Sequence, residues 1–102
     1  MPGSPKTIKF YQPWPAPVLA ACHRDASVLP EIERWVDGLR EQGKVGIDVR
    51  FGTRRRGGAL VGVLCDRAGE CELPRGSFLV FGRAGLRVLD ERAFFTLYRE
   101  PD

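Results

Sequence analysis

"GSFLVFGRAGL", residues 76–86, sets three glycines and five large apolar side chains in eleven positions. Two readings compete for it. A phosphate cradle needs a helix to begin directly after the glycines, so that its first amides point at the anion. A hairpin needs glycine at the bends between two pleated runs, because positive φ is cheap only for glycine. Here Pro74, Arg75 and Gly76 turn the chain, "SFLVF" reads as a strand, "GRAG" as a second turn and "LRVLD" as the returning strand. No helical period starts after the glycines, so the hairpin reading is adopted.

Working back from that hairpin, "DRAGE" (66–70) fits a three-residue loop with Gly69 in the left-handed position. That register sets Cys65 opposite Cys71, as neighbouring thiols or as a bridged pair. "ALVGVLC" (59–65) is apolar on both faces and reads as a central strand. "VGIDVRF" (45–51) alternates, placing Val45, Ile47, Val49 and Phe51 on one face of a strand, and "GTRRRGG" (52–58) turns between the two. Pro30 to Gln42 predicts the main helix. Leu29, Ile32, Trp35, Val36 and Leu39 form one stripe, Pro30 suits the first turn and Gly43 the left-handed cap. Gly38 weakens the interior and suggests a close approach by another element.

Nearer the N-terminus, "KTIKFYQ" alternates as a strand, "PWPAP" makes a rigid extended connection, and "VLAAC" (18–22) reads as a short turn. At the other end "DERAFFTLYRE" offers Asp90 as a helix N-cap and presents Phe94, Leu97 and Tyr98 to the core. The expected fold is α+β: one main helix packed on a curved, mainly antiparallel sheet of five or six strands or a small barrel, with a short C-terminal helix. Residues 1–5 are expected to be flexible and 6–102 to form a single domain. Its core should contain Ile8, Phe10, Ile32, Trp35, Leu39, Ile47, Val49, Val61, Val63, Cys65, Leu73, Phe78, Val80, Phe94 and Tyr98.

The net charge of +3 comes from sixteen basic and thirteen acidic residues. Arg50, Arg54, Arg55 and Arg56 alone exceed that surplus, which argues for one basic spot rather than a broadly basic coat. No apolar run approaches the ~20 residues of a membrane helix, and no secretory leader pattern opens the chain. The expectation is a cytoplasmic protein with reduced cysteines.

The order "GSFLVFGRAGL…FFTLY" resembles the C-terminal signature of a group of small uncharacterised phage and prophage proteins. That signature runs Gly-Asp-aromatic-Ile-Ile-x-Gly-x-x-Gly-Glu and, about seven residues later, Phe-x-x-x-Tyr. Gly76, Phe78, Leu79, Val80, Gly82, Gly85, Phe94 and Tyr98 match it, while Ser77 and Leu86 stand where the group usually has Asp and Glu. The resemblance implies a phage-type accessory protein, in the host cytoplasm if phage-encoded, and supplies no reaction. Serine accepts a backbone hydrogen bond in a turn but is no carboxylate.

Candidate site residues follow from chemistry. Arg54, Arg55 and Arg56, flanked by glycines, are expected at an exposed hairpin tip, with Arg75 beside them. Four guanidinium groups there suit phosphates or an acidic protein surface; the plainer reading is a solvated loop. Trp14, between prolines, either covers one end of the core or anchors a partner. His23, the sole histidine, reads as an exposed loop residue, since adjacent Cys22 and His23 seldom face one another as a nucleophile pair needs. Cys22, His23, Cys65 and Cys71 number four ligands but lack a Cys-x-x-Cys knuckle. No catalytic constellation, cofactor or metal is expected. The partner is expected to be a protein, with nucleic acid as the alternative through the Arg54–Arg56 tip and no membrane. The acidic helix positions Glu31, Glu33 and Asp37 permit self-association with the basic tip without requiring it, so the oligomeric state stays open.

Overall fold

The computed structural model describes residues 8–13 and 18–99. In chain order the elements are β1 (Ile8–Pro13), β2 (Val18–Cys22), a 3-10 turn (Ala26–Val28), α1 (Leu29–Glu41), β3 (Arg50–Arg56), β4 (Ala59–Asp66), β5 (Gly69–Leu73), β6 (Phe78–Gly82), β7 (Gly85–Leu89), α2 (Glu91–Leu97) and β8 (Tyr98–Arg99). The fold is α+β and every strand pair is antiparallel. The strands divide into a five-stranded sheet, ordered β7-β6-β2-β1-β8, and a three-stranded sheet, β3-β4-β5, with no closed barrel.

Helix α1 forms where the 3.6-residue stripe predicts it. Pro30 lies in its first turn, and Leu29, Ile32, Val36 and Leu39 are buried. Its end is a Schellman cap: Gly43 takes φ 73°, its amide donates to Arg40 O at 3.0 Å, and that of Lys44 donates to Leu39 O at 2.9 Å. The buried stripe meets Phe51, Leu64 and Leu73 from the smaller sheet and Ala21 and Leu79 from the larger one. The opposite face of the larger sheet carries Val18, Ala20, Phe78 and Val80, covered by Phe94 of α2 and by Tyr98. The rings of Phe78 and Phe94 stack at 3.9 Å. Asp90 caps α2 by accepting from the Ala93 amide at 2.7 Å.

The hairpin reading of residues 76–86 holds. β6 and β7 pair from Phe78↔Leu89 to Gly82↔Gly85, with Gly76 and Gly85 at φ 93° and 98°. Gly82 has another use: a Cβ there would sit 3.1 Å from Val18 Cγ1 of the neighbouring strand.

Several local expectations give way. "VLAAC" is no turn but β2, lying inside the larger sheet between β6 and β1. Five consecutive residues without a breaker or charge tolerate burial on both faces, which a central strand requires. β3 begins at Arg50 rather than Val45, and Ile47 is 83% exposed. Residues 46–49 form a turn instead, closed by Val49 N–H on Gly46 O at 3.1 Å, as glycine and aspartate favour. Val49, Trp35 and Ile8 pack partly buried at the core margin. Leu97 is 47% exposed, because the two-turn α2 directs Phe94 inward and leaves its flank outside. No element approaches Gly38; a Cβ there would meet nothing within 4 Å. The side chain of Phe10 lies outside the described residues.

Candidate interaction surface

Arg54, Arg55 and Arg56 are not a loop tip. They belong to β3, and the turn is made by Gly57 and Gly58 alone, at φ 57° and 85°. Two successive positive φ values define the mirror-image two-residue turn whose twist suits a hairpin. Alternation then splits the arginines: Arg54 and Arg56 point to one face and Arg55 to the other.

The Arg54 and Arg56 face turns away from α1. Across it, on the far strand of the same sheet, stand Glu70 and Glu72. Arg54 Nη2 donates to both Glu70 carboxylate oxygens, at 2.8 and 2.9 Å, and its Nη1 lies 3.7 Å from Glu72 Oε2. Arg56 reaches the same Glu72 oxygen through Nε at 2.8 Å and Nη2 at 2.7 Å. Between them the β4 residues Val61 and Val63 are buried, at 7% and 5% exposure, although they face away from the core. Arg54 is in register with Val61, and Val63 with Glu72. The arginine stems and the ion pairs roof these valines, as long amphipathic side chains do.

The pairing moves the charges' affinities for protons in opposite senses. The hydrogen bond from Arg54 holds the Glu70 carboxyl below the ordinary glutamate range, and the same bond raises the Arg54 guanidinium. Cys65 lies 3.7 Å from Glu70 Oε2. Desolvation first, and then the Glu70 carboxylate, push its thiol up, which disfavours the reactive thiolate.

Cys71 does not face Cys65. The β4–β5 turn contains two residues rather than three, so Asp66 pairs with Gly69 and Cys65 with Glu70, while Cys71 falls opposite Leu64. The Asp66 carboxylate closes this tighter turn by accepting from the Ala68 and Gly69 amides at 2.8 and 3.2 Å. A shift of one residue moves a side chain to the other face. The two thiols are therefore unbridged and on opposite sides of the sheet. Among the described residues no three His, Cys, Asp or Glu side chains gather around a common point for a metal.

Arg75 does not complete an arginine cluster. From the turn that links β5 to β6, its Nε donates to the Arg24 carbonyl beyond the end of β2 at 2.9 Å. His23 is buried at 1% exposure rather than loop-exposed. Its Nδ1 lies 2.9 Å from the Leu73 carbonyl, and a carbonyl only accepts, so Nδ1 carries the proton. With His23 N–H on Ser77 O at 2.9 Å and Gly76 N–H on His23 O at 2.8 Å, the residue clasps the end of β2 to the β5–β6 connection. Its role is structural. Trp14 lies outside the described residues.

The other turn of the opening stretch, Arg83-Ala84, forms one wall of an open cleft of about 400 Å³ with Gly85, Leu86, Lys44, Val49, Leu64 and Asp66. The Asp66 carboxylate in that lining is already committed to its own turn.

Neither protein families, nor curated proteins, nor solved structures provide a match to this chain. No described helix is long and apolar enough to cross a membrane.

Glu70 and Glu72 escaped the sequence reading. The signal was present in "GECEL": two glutamates two apart share one face of a strand, as Arg54 and Arg56 do. Matching the two pairs required the correct register of both hairpins.

Proposed function

We propose that this chain is a non-enzymatic accessory protein of phage or prophage type that acts by binding a protein of the host or of the phage. Inhibition of a host factor or defence system is a role that such a binder fills. The observation that carries the reading is the set of carboxylates already seated on Arg54 and Arg56. A phosphate backbone would have to displace Glu70 and Glu72 before it met those guanidinium groups. A protein surface need only match the charge and shape that stand there. Exposed Phe95 and Leu97 on α2, at 54% and 47%, add apolar area of the kind interfaces use. The sequence resemblance supplies the phage-type origin.

Nucleic-acid binding through Arg54, Arg55 and Arg56 is the second reading, favoured only by Arg55, which has no carboxylate partner among the described residues. Affinity purification from nuclease-treated host lysate, followed by mass spectrometry, separates the two. The primary reading expects one protein recovered near stoichiometry and lost when Arg55 and Leu60 are both changed to Glu. These two residues face each other on the exposed end of the β3–β4 hairpin. Recovery that disappears with nuclease treatment moves the assignment to nucleic acid, and no stoichiometric protein at all refutes the primary reading.

A further inference from the structure

The seven residues of β3 form one margin of the three-stranded sheet, with β4 on one side and no described strand on the other. The tight turn at Gly57-Gly58 fixes which backbone groups face that open side. In a hairpin with a two-residue loop the flanking pair, Arg56↔Ala59, exchanges both hydrogen bonds, and the pattern repeats every second residue. Arg54↔Val61 and Gly52↔Val63 therefore hold the β4 ladder. Phe51, Thr53 and Arg55 turn their N–H and C=O groups to the other side, where Phe51 is buried at 4% exposure and Thr53 and Arg55 are exposed. Among the described residues neither Thr53 nor Arg55 forms another backbone–backbone hydrogen bond.

The exposed edge from Thr53 to Arg56 is a template for another strand. We propose that it receives an extended, acidic segment of a partner protein, added antiparallel to β3. This deepens the protein-binding reading above and rests on it. The charge selects the occupant. Arg54 and Arg56 are neutralised within the sheet, but Arg50 and Arg55 are not. Among the described residues Arg50 Nη1 donates to the carbonyls of Ile47 and Val49 and has no carboxylate partner, and Arg55 is exposed without an ion pair. A second copy is a poor occupant: a two-fold pairing about Arg55 sets that arginine, which has no ion pair among the described residues, directly opposite its own copy, and like charges directly opposite destabilise a sheet.

The register makes the ligand specific. Opposite an antiparallel partner, the positions facing Arg55 and Arg50 are five residues apart and lie on opposite faces of the incoming strand. The preferred segment carries carboxylates at that spacing, with β-favouring residues between.

The test uses an eight-residue Thr/Val peptide with glutamates at its second and seventh positions, titrated by NMR to about 1 mM, an affinity limit within reach of a weak strand addition. The proposal expects the Thr53 and Arg55 amides to shift and to gain protection from hydrogen exchange. The Arg55→Glu variant should weaken binding roughly fivefold or more, with a loss of affinity in high salt. The same peptide with lysines, or with prolines at alternate Thr/Val positions, should not bind. Thr53→Pro should abolish binding without unfolding the sheet, since the amide it removes points outward; if that variant is unstable, exchange protection in the wild-type protein decides. Binding of the lysine peptide equal to the glutamate peptide, or no response at Thr53 and Arg55, overturns the edge proposal. An oligonucleotide that binds β3 more tightly than the peptide also overturns it. Should Thr53→Pro still recover the lysate partner, protein binding stands and the edge assignment falls; should no partner be recovered at all, the broader reading fails first.

Discussion

Gly62→Ala tests how the two strands of the Arg-rich hairpin lie on the core. Gly62 interrupts the apolar run Ala59–Cys65 of β4, and Phe51 lies diagonally across from it on the core face. A Cβ at position 62 would stand 2.3 Å from Phe51 Cζ and 3.0 and 3.2 Å from the two Cε atoms. The ring cannot step aside easily, because Phe51 is 4% exposed and packs in the cluster with Ile32, Leu64 and Leu73. Overpacking of this kind costs about 1–3 kcal/mol, against about 0.5–1 kcal/mol that alanine gains over glycine inside a strand. The expected net loss is about 1–2 kcal/mol, or a fall in Tm of roughly 5–15 °C for a domain of this size. Urea unfolding at constant m value measures it. Phe51→Leu shortens the offending ring, so the double variant should lose less than the sum of the singles by at least about 0.5 kcal/mol. A neutral or stabilising Gly62→Ala, with strictly additive effects, would mean that the ring does not cover Gly62 and that β3 pairs with β4 differently.

Gly38→Ala should act in the opposite sense, stabilising by up to ~1 kcal/mol in the same assay, because the position is helical and its Cβ would meet nothing. His23→Ala should cost about 2–4 kcal/mol, from the lost hydrogen bond to the Leu73 carbonyl and the cavity left by a ring at 1% exposure; a loss under 1 kcal/mol on unfolding would show that His23 is no clasp. Glu70 should titrate below the ordinary glutamate range by side-chain NMR and return to it in Arg54→Gln. Because its folded value is depressed, its contribution is complete above the unfolded glutamate value and is lost as pH falls through the folded one. That acid limb should shrink with added salt, since both side chains are substantially exposed.

Local chemistry made much of this fold legible. The apolar stripe from Leu29 to Leu39, with Pro30 before it and Gly43 after it, specifies a helix through neighbours three and four residues apart. Asp90 specifies the start of α2 by the same short reach. The turns at Gly76 and Gly85 follow from backbone angles that other residues avoid, whereas the turn at Gly57-Gly58 is narrower than the 52–58 stretch its composition suggests, because Arg54 to Arg56 pair in β3. Each signal is complete within a few positions of chain, so no knowledge of the rest of the molecule is needed.

What depended on distant contacts was not legible. Whether "DRAGE" turns with two residues or three changes little locally, yet it decides the face on which Cys71 lies and brings Glu70 and Glu72 over to Arg54 and Arg56. "VLAAC" became a central strand only because β1 and β6 flank it. His23 became a buried clasp only because Leu73, fifty residues away, offers it a carbonyl. The helices and the places where the chain bends follow from steric and capping preferences that act over one or two turns of chain. Tertiary structure alone decided register, burial of the histidine and neutralisation of the arginines, because those depend on pairings that close only when remote strands meet.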